Sequence, residues 1–335
     1  MTNRRTVTVI IVSYHSADLT IECLRSLELQ KDVGGISLTA LVIDNASGDA
    51  PDISAAILHE KWNGWVTLIV APRNGGFAYG NNLGFAYAYQ RNKPDYFHLL
   101  NPDTRVLPGA IAELVNFLDG HPNAGIAGSS FENDDGSDWP IAFRFPTVFS
   151  EIDGGLSLGL LSRLLKKWSV VRQMTREPQP IDWGAGASML IRSTVLDAVG
   201  GFDDNFFLYF EETEFCWRAK AAGFAMWYVP SSRVVHIGGQ STKVTERNVA
   251  PRRLPQYWFE SRRRYFISTG SMARAIAVDI SAILANAVGT LRLKIQGRSD
   301  RLVPHYLSDL WRNSVLHRRN RNLGTRPYWP ARSEA

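Results

Sequence analysis

The chain has 335 residues, 45% of them hydrophobic, which is enough to bury a full core; this excludes intrinsic disorder and suits one large domain or one domain with an appended module. Its two cysteines, Cys23 and Cys216, lie far apart without metal-ligand or redox spacing, which excludes a disulfide framework and a zinc ribbon and fits a reducing compartment. The net charge of +5 hides a split: residues 251–335 hold 16 Lys and Arg against 5 Asp and Glu, whereas residues 1–250 hold 21 against 27, so the C-terminal part suits nucleic acid, anionic lipid or an acidic partner.

Residues 1–5 run directly into a strand-like segment, without a separate apolar region and cleavage site, and are read as carrying no secretion signal. Strands are predicted at 7–12, 38–43, 66–70, 96–100 and 124–128, each apolar and ending in polar, Gly or Pro residues. Helices fit between them at 19–29, 79–90 and 108–118, the last opening on a proline. This alternation predicts an α/β fold with a mostly parallel sheet covered by helices, whose strand ends gather on one crevice. Ser13, Tyr14, Asp44, Asn45, Asn101 and Asp103 stand at those ends.

Residues 131–180 read as irregular, with Asp134, Asp135 and Gly136, several prolines and an apolar stretch at 154–165 suited to a flexible lid or acceptor loop. A second ordered block supplies a strand at 188–191, a helix at 211–222 stopped by Gly223 and a strand at 225–229. From Gln256 onward aromatics and arginines interleave through 257–266, followed by a mostly apolar helix at 272–293. Arg274, Asp279, Asn286 and Arg292 interrupt that helix, so it lacks the roughly 20 continuous apolar residues of a bilayer span. It reads as an interfacial helix or, equally, as one packed on the rest of the chain or on a second copy.

Three places combine residue types able to do chemistry. Asp103 puts a carboxylate at a strand end, placed to hold Mg²⁺ or Mn²⁺ against diphosphate oxygens, although Asn101, Pro102 and Asp103 favour a turn in any case. Glu211, Glu212 and Glu214 open a helix, where the dipole alone favours acids, but three exceed what capping needs. Glu211 and Glu212 point about 100° apart, so one can face the crevice as a proton acceptor while the other makes structural bonds. His236 is a candidate metal ligand or a structural histidine, followed by a turn at 238–241. The connection at 73–82 is rich in glycine and suits backbone N–H contacts to phosphate or sugar oxygens. Its spacing matches neither G-x-G-x-x-G nor a P-loop, which removes the main support for dinucleotide oxidoreductase and NTPase readings.

In this order the segments VIIVSY at 9–14, VIDNAS at 42–47, RNGG at 73–76 with Asn81 and Asn82, LNPD at 100–103, GAGA at 184–187, GGFD at 200–203, YFEE at 209–212 and Val235 with His236 form a set. The set resembles the inverting family 2 glycosyltransferases of GT-A fold, particularly their bacterial rhamnosyltransferase-like branch, over about residues 6–242. The resemblance implies a GT-A domain at 1–250, with a nucleotide-sugar half at about 1–130 and an acceptor half at about 131–250, and a basic helical extension at 251–335. It implies donor contacts from Ser13, Tyr14, Asp44, Asn45, Arg73, Asn74, Gly75, Asn82, Asn101 and Asp103, and acceptor contacts from Trp183, Gly184, Ala185 and Gly186. Asp103 is similar to the second acid of the family's D-x-D motif, with Asn101 in place of the first, so Mg²⁺ or Mn²⁺ would rest on Asp103 and His236. Glu212 takes the place of the aspartate in the family's Glu-Asp pair, one methylene longer, and is the implied general base; Glu211 is the competing candidate.

The implied reaction is an inverting hexosyl transfer, with dTDP-rhamnose as the favoured donor over UDP-hexoses and a glycan or lipid-linked acceptor in bacterial surface polysaccharide synthesis. The basic charge of residues 251–335 and the helix at 272–293 add the expectation of a cytoplasmic protein, peripheral on the inner membrane face, with contact to anionic lipid or a homo-oligomer through the C-terminal helices. Two rival readings stand beside it. Nucleic-acid binding by the basic tail is opposed by the acidic charge of residues 1–250. A sugar-binding homologue without catalysis is motivated by Asn101 and Glu212.

Overall fold

A computed structural model describes residues 4–133, 139, 141–156, 158–236 and 251–324. Strands β1 (Arg5–Ser13), β2 (Ile36–Asp44), β3 (Val66–Val70) and β4 (Tyr96–Leu100) pair in parallel, in the order 3-2-1-4. Helices α1 (Ala17–Glu28), α2 (Ala50–His59) and α3 (Gly76–Tyr89) connect them. β1 and β2 are buried on both faces, which is why their sequences read as continuous apolar runs. The strand period of two divides them: Val7, Val9, Ile11, Leu38, Ala40 and Val42 join one core, and Ile10, Leu41 and Ile43 join the other.

The chain continues through β5 (Thr104–Val106), α4 (Ala110–Gly120), β6 (Ala124–Glu132), α5 (Val148–Leu156), α6 (Gly159–Leu164), β7 (Gln179–Ile181) and β8 (Ser188–Arg192). It then forms α7 (Ser193–Val199), α8 (Glu211–Ala221) and β9 (Ala225–His236). The sheet order is β3-β2-β1-β4-β8-β6-β9-β5, with β7 on β9. β8 runs antiparallel to both β4 and β6, and β5 runs antiparallel to β9, so the sheet is mixed beyond its parallel half.

The sequence expectation for 131–180 needs correction. The stretch 154–165 is largely helical, closing α5 and forming α6, and α5 packs against a C-terminal helix. Asp134, Asp135 and Gly136 lie outside the described residues, as does the expected turn at 238–241.

Helices α9 (Gln256–Ser268), α10 (Met272–Ile295) and α11 (Tyr306–Asn313) pack together beside α8 and α5. Two of the three arginines of 257–266 are turned away from solvent: Arg262 and Arg264 are buried, while Arg263 is half-buried and donates to the Asn313 carbonyl at 3.1 Å. The Arg262 guanidinium lies 2.6 Å from Glu151 on α5 and 2.6 Å from Asp279 on α10, and that of Arg264 lies 2.6 Å from Asp203. Buried charges persist where they are paired and hydrogen-bonded, and these pairs fasten the C-terminal helices to the chain.

Candidate active site

The parallel strands end together, with Ser13 of β1 in register with Asp44 of β2. Ser13 is buried, its hydroxyl within hydrogen-bond distance of Ser16 and Thr20, and so shapes the turn, while Tyr14 is 44% exposed at the mouth. Asp44 is more telling. Its Oδ1 accepts from the Ser47 backbone N–H at 2.9 Å and from the Ser47 hydroxyl at 2.5 Å, whereas Oδ2 is buried without a hydrogen-bond partner. A lone buried acceptor is costly unless a ligand N–H or O–H completes it.

Asn45 and Asn82 each make hydrogen bonds within the protein. The Asn45 amide N–H₂ donates to Asn74 Oδ1 at 3.0 Å and to the Gly76 carbonyl at 3.2 Å, and its oxygen accepts from the Gly75 N–H at 3.3 Å. It therefore holds the glycine-rich loop in place. Asn82 spans from α3 to residues 202–204, accepting from the Phe202 N–H at 2.9 Å and donating to the Phe202 carbonyl at 2.9 Å and to Asp204. Arg73 is exposed and stacks on Tyr79, 4.4 Å from guanidinium carbon to ring centre.

The loop is pinned from the other side at Gly76. With φ at +81° it occupies a conformation that L side chains rarely adopt, and a Cβ there would run into the carbonyl oxygen of Phe207. The neighbouring Phe77 N–H donates to that same carbonyl at 3.1 Å. Gly76→Ala is therefore expected to destabilise the protein by at least about 2 kcal/mol, read as a lower urea midpoint at unchanged slope. A midpoint equal to the wild type would show that the contact yields freely.

β5 and β9 align Thr104 with His236 and so bring Asp103 beside the imidazole. Asp103 Oδ1 lies 3.3 Å from His236 Nε2, yet neither of these atoms nor His236 Nδ1 makes a hydrogen bond. Both residues are largely enclosed, and Phe131 and Trp139 flank the imidazole at 5.6 and 5.3 Å. An orphaned carboxylate oxygen next to an orphaned ring nitrogen is a donor set that fits a divalent cation. Among the described residues no group of three or more His, Cys, Asp or Glu is arranged around a metal position, so of these residues Asp103 and His236 alone form the candidate donor pair. Asn101 is half-buried; its backbone N–H donates to the Ala187 carbonyl at 3.1 Å and its backbone carbonyl accepts from Thr104 Oγ1 at 2.6 Å.

The acids at the start of α8 divide by environment. Tyr209 and Phe210 precede them with φ of +70° and +68°, left-handed values that are strained for non-glycine residues. α9 holds that strain in place: Tyr257 packs on Phe207 and Tyr209, Trp258 and Tyr265 pack on Phe210, and the Ser261 hydroxyl donates to the Leu208 carbonyl at 3.0 Å. No feature of the sequence announced this brace, because its two halves lie about fifty residues apart.

Glu211 turns inward, 1% exposed, with Oε2 lacking a partner. Burial and the charge of Glu212 push its pKa well above the usual carboxylate range. Glu212 is half-buried, and its Oε1 accepts from the Gly186 N–H at 3.1 Å. Burial raises its pKa too, opposed by backbone N–H donors including Gly186. Glu214 is spent in an ion pair with Arg218 at 2.7 Å. Of the remaining segment, Trp183 stacks on Phe143 at 4.4 Å and donates its indole N–H to the Arg144 carbonyl at 3.0 Å, Gly184 is buried, and Ala185 is half-buried. Because Ala187 bonds Asn101 and Gly186 bonds Glu212, the LNPD strand end and the α8 carboxylate meet on one short backbone segment.

The chain is similar to known proteins. An N-acetylglucosaminyl-diphospho-decaprenol L-rhamnosyltransferase of Mycobacterium tuberculosis is 29% identical over 245 residues, covering 70% of this chain and 76% of that protein. The dTDP-rhamnosyl transferase RfbF of Shigella flexneri is 26% identical over 185 residues, covering 55% and 56%. The solved structure of mannosyltransferase PcManGT from Pyrobaculum calidifontis, in complex with GDP-Man and Mn²⁺, superimposes with a TM-score of 0.54 at 16% identity, covering 88% of this chain and 76% of that one, which shows the shared GT-A fold. The family described as "Glycosyltransferase like family 2" matches residues 4–252, well over half of the chain, and the chain is therefore a member of that family and a glycosyltransferase.

Proposed function

We propose that the protein transfers L-rhamnose from dTDP-rhamnose, with inversion, to a glycan or lipid-linked acceptor in bacterial surface polysaccharide synthesis, working at the cytoplasmic face of a membrane. The observation that carries this reading is the half-buried Glu212, tethered by Gly186 next to the strand end that bears Asp103. Residues 1–250 act as the catalytic domain, and residues 251–335 as an extension whose α9 braces the approach to Glu211 and Glu212. The rhamnosyl assignment is supported by what the relatives from M. tuberculosis and S. flexneri are named for.

In this reading Asp44 Oδ2 receives an N–H of the pyrimidine base, and the loop held by Asn45 offers backbone N–H groups to the donor. Asp103 and His236 would hold Mg²⁺ or Mn²⁺, which when bound neutralises charge on the departing diphosphate. Glu212 takes the proton of the acceptor hydroxyl as its oxygen bonds to the anomeric carbon, and the bond from that carbon to the diphosphate breaks on the opposite side. The half-buried position of Glu212 leaves it open to an acceptor, and its raised pKa makes it a stronger base than a free glutamate.

Release of nucleoside diphosphate from a panel of dTDP-, UDP- and GDP-sugars, with Mg²⁺ or Mn²⁺ and lipid-linked acceptors, tests the substrate assignment. Turnover is expected with dTDP-rhamnose above all others. Preferential turnover of a UDP- or GDP-sugar would replace the donor, and binding without turnover of any would favour the non-catalytic homologue.

A further inference from the structure

α10 has two unlike faces. Ala275, Val278, Asp279, Ala282, Ala285 and Gly289 are turned into the protein. On the other side Ile280, Leu284, Val288, Leu291 and Ile295 are 43, 62, 56, 61 and 78% exposed. Their spacing of four, four, three and four residues sets them in one stripe, about 22 Å long at the helical rise. Scattered exposed leucines are ordinary, but a continuous stripe of large apolar side chains marks an interaction surface. The helix is 24 residues long, with a mean hydropathy of 1.5 in its most apolar window, enough in length and composition to cross a membrane. The buried Asp279–Arg262 pair and the packing on α5 and α9 instead hold it along the surface of the chain.

Cations border the stripe. Lys294, Arg298 and Arg301 are exposed where it ends, and Lys294 lies about 60° around the helix from Leu291. Between residues 291 and 324, Arg312, Arg318 and Arg319 are also exposed, against the single exposed acid Asp300. Beside the end of α10 a cavity of about 740 Å³ is lined by both kinds of side chain, among them Leu293, Lys294, Arg301, Leu302 and His305, with Trp258 also on its wall. The adjoining α5 and α6 repeat the combination, exposing Phe149 and Leu164 next to Lys166 and Lys167.

Charge selects the occupant. The only acid on α10 is Asp279, which is buried, so a second copy laid on the stripe would supply no counter-charge from its own α10. Parallel pairing would set Lys294 beside Lys294, and antiparallel pairing of the two stripes would set it near Ser281, again with no acid to meet it. Lipid phosphates neutralise the cations, and the acyl boundary takes the stripe.

We propose that α10 and its flanking cations form a docking surface for an anionic bilayer. The helix lies in the interface with Leu284, Val288 and Leu291 immersed and Lys294, Arg298 and Arg301 at the phosphates. This deepens the reading of a lipid-linked acceptor on which it rests: Trp258, on the wall of the cavity that Lys294, Arg301 and Glu151 also line, packs on Phe210 directly before Glu211 and Glu212.

Flotation of the full chain with vesicles of phosphatidylcholine, alone or mixed with phosphatidylglycerol, tests the surface. The wild type is expected to float with the mixed vesicles only, less so as salt rises. The exposed double variant Leu284→Asp/Val288→Asp should lose flotation, and Lys294→Gln/Arg298→Gln/Arg301→Gln should bind about 100-fold more weakly. Circular dichroism and donor hydrolysis, both expected unchanged, check that the variants are folded and active. Absence of wild-type flotation, flotation indifferent to both variants, or a dimer that Leu284→Asp/Val288→Asp dissociates without any vesicle binding would each overturn the proposal. Nucleoside diphosphate release on the same samples separates that failure from failure of the glycosyl-transfer reading.

Discussion

Glu212→Gln is expected to lower the transfer rate by about 10²- to 10⁴-fold while the donor still binds, because the amide keeps the shape of the side chain but cannot accept the acceptor's proton. Glu211→Gln is expected to retain most activity. The difference follows from position: Glu212 is half-buried and tethered at the Gly186 segment, whereas Glu211 is 1% exposed with an oxygen that has no partner. Steady-state kinetics on both variants checks the assignment, and loss of activity in Glu211→Gln alone would reverse it.

The same pair predicts opposite responses to pH. The wild-type rate should rise with pH through a value above the ordinary glutamate pKa of about 4.3, since only the ionised Glu212 is a base. Stability should move the other way. Glu211 holds its proton more tightly when folded than when unfolded, so its favourable contribution is complete below about 4.3 and is lost as pH rises through the raised folded value. Glu211→Gln removes that loss. Its melting temperature should therefore exceed that of the wild type at neutral pH and converge with it near pH 4.

Asp103→Asn carries the second large effect. Replacing the anionic ligand while keeping its shape should lower kcat/KM by about 100-fold or more, the order expected for several kcal/mol of charge stabilisation. Thorough chelation should abolish turnover of the wild type, and Mn²⁺ or Mg²⁺ should restore it. Binding can also be read without catalysis: Mn²⁺ should raise the melting temperature of the wild type and leave that of Asp103→Asn unmoved. Full activity in chelated buffer, or an equal thermal response in both proteins, would remove the metal from the account and leave the Asp103–His236 contact as a structural pair.

The parts of this site that could be read in the sequence are those fixed by local pattern. β1, β2 and β4 are buried on both faces and so appear as apolar runs, and their polar ends, Ser13, Asp44 and Asn101, mark the crevice without further information. The roles of Asn45 and Asn82 were not legible, because each amide is committed to a partner brought by the fold, the glycine-rich loop in one case and residues 202–204 in the other. α5 was hidden for a related reason. Gly154 and Gly155 argue against a helix locally, yet the helix forms there because α10 packs so closely that a Cβ on its Gly289 would meet the Gly155 carbonyl. The arginines at 262 and 264 look like a basic surface until Glu151, Asp203 and Asp279 arrive from distant segments. Periodicity reports which side of an element is apolar, not which far element will neutralise a charge.

The most direct measurement is the anomeric configuration of the product, read by proton NMR after transfer from dTDP-rhamnose to a lipid-linked acceptor by the wild type and by Glu212→Gln. A single displacement with Glu212 as base predicts one product anomer, inverted relative to the donor, from the wild type, and almost none from the variant. A product that retains the donor's configuration, or one formed equally well by Glu212→Gln, would contradict it.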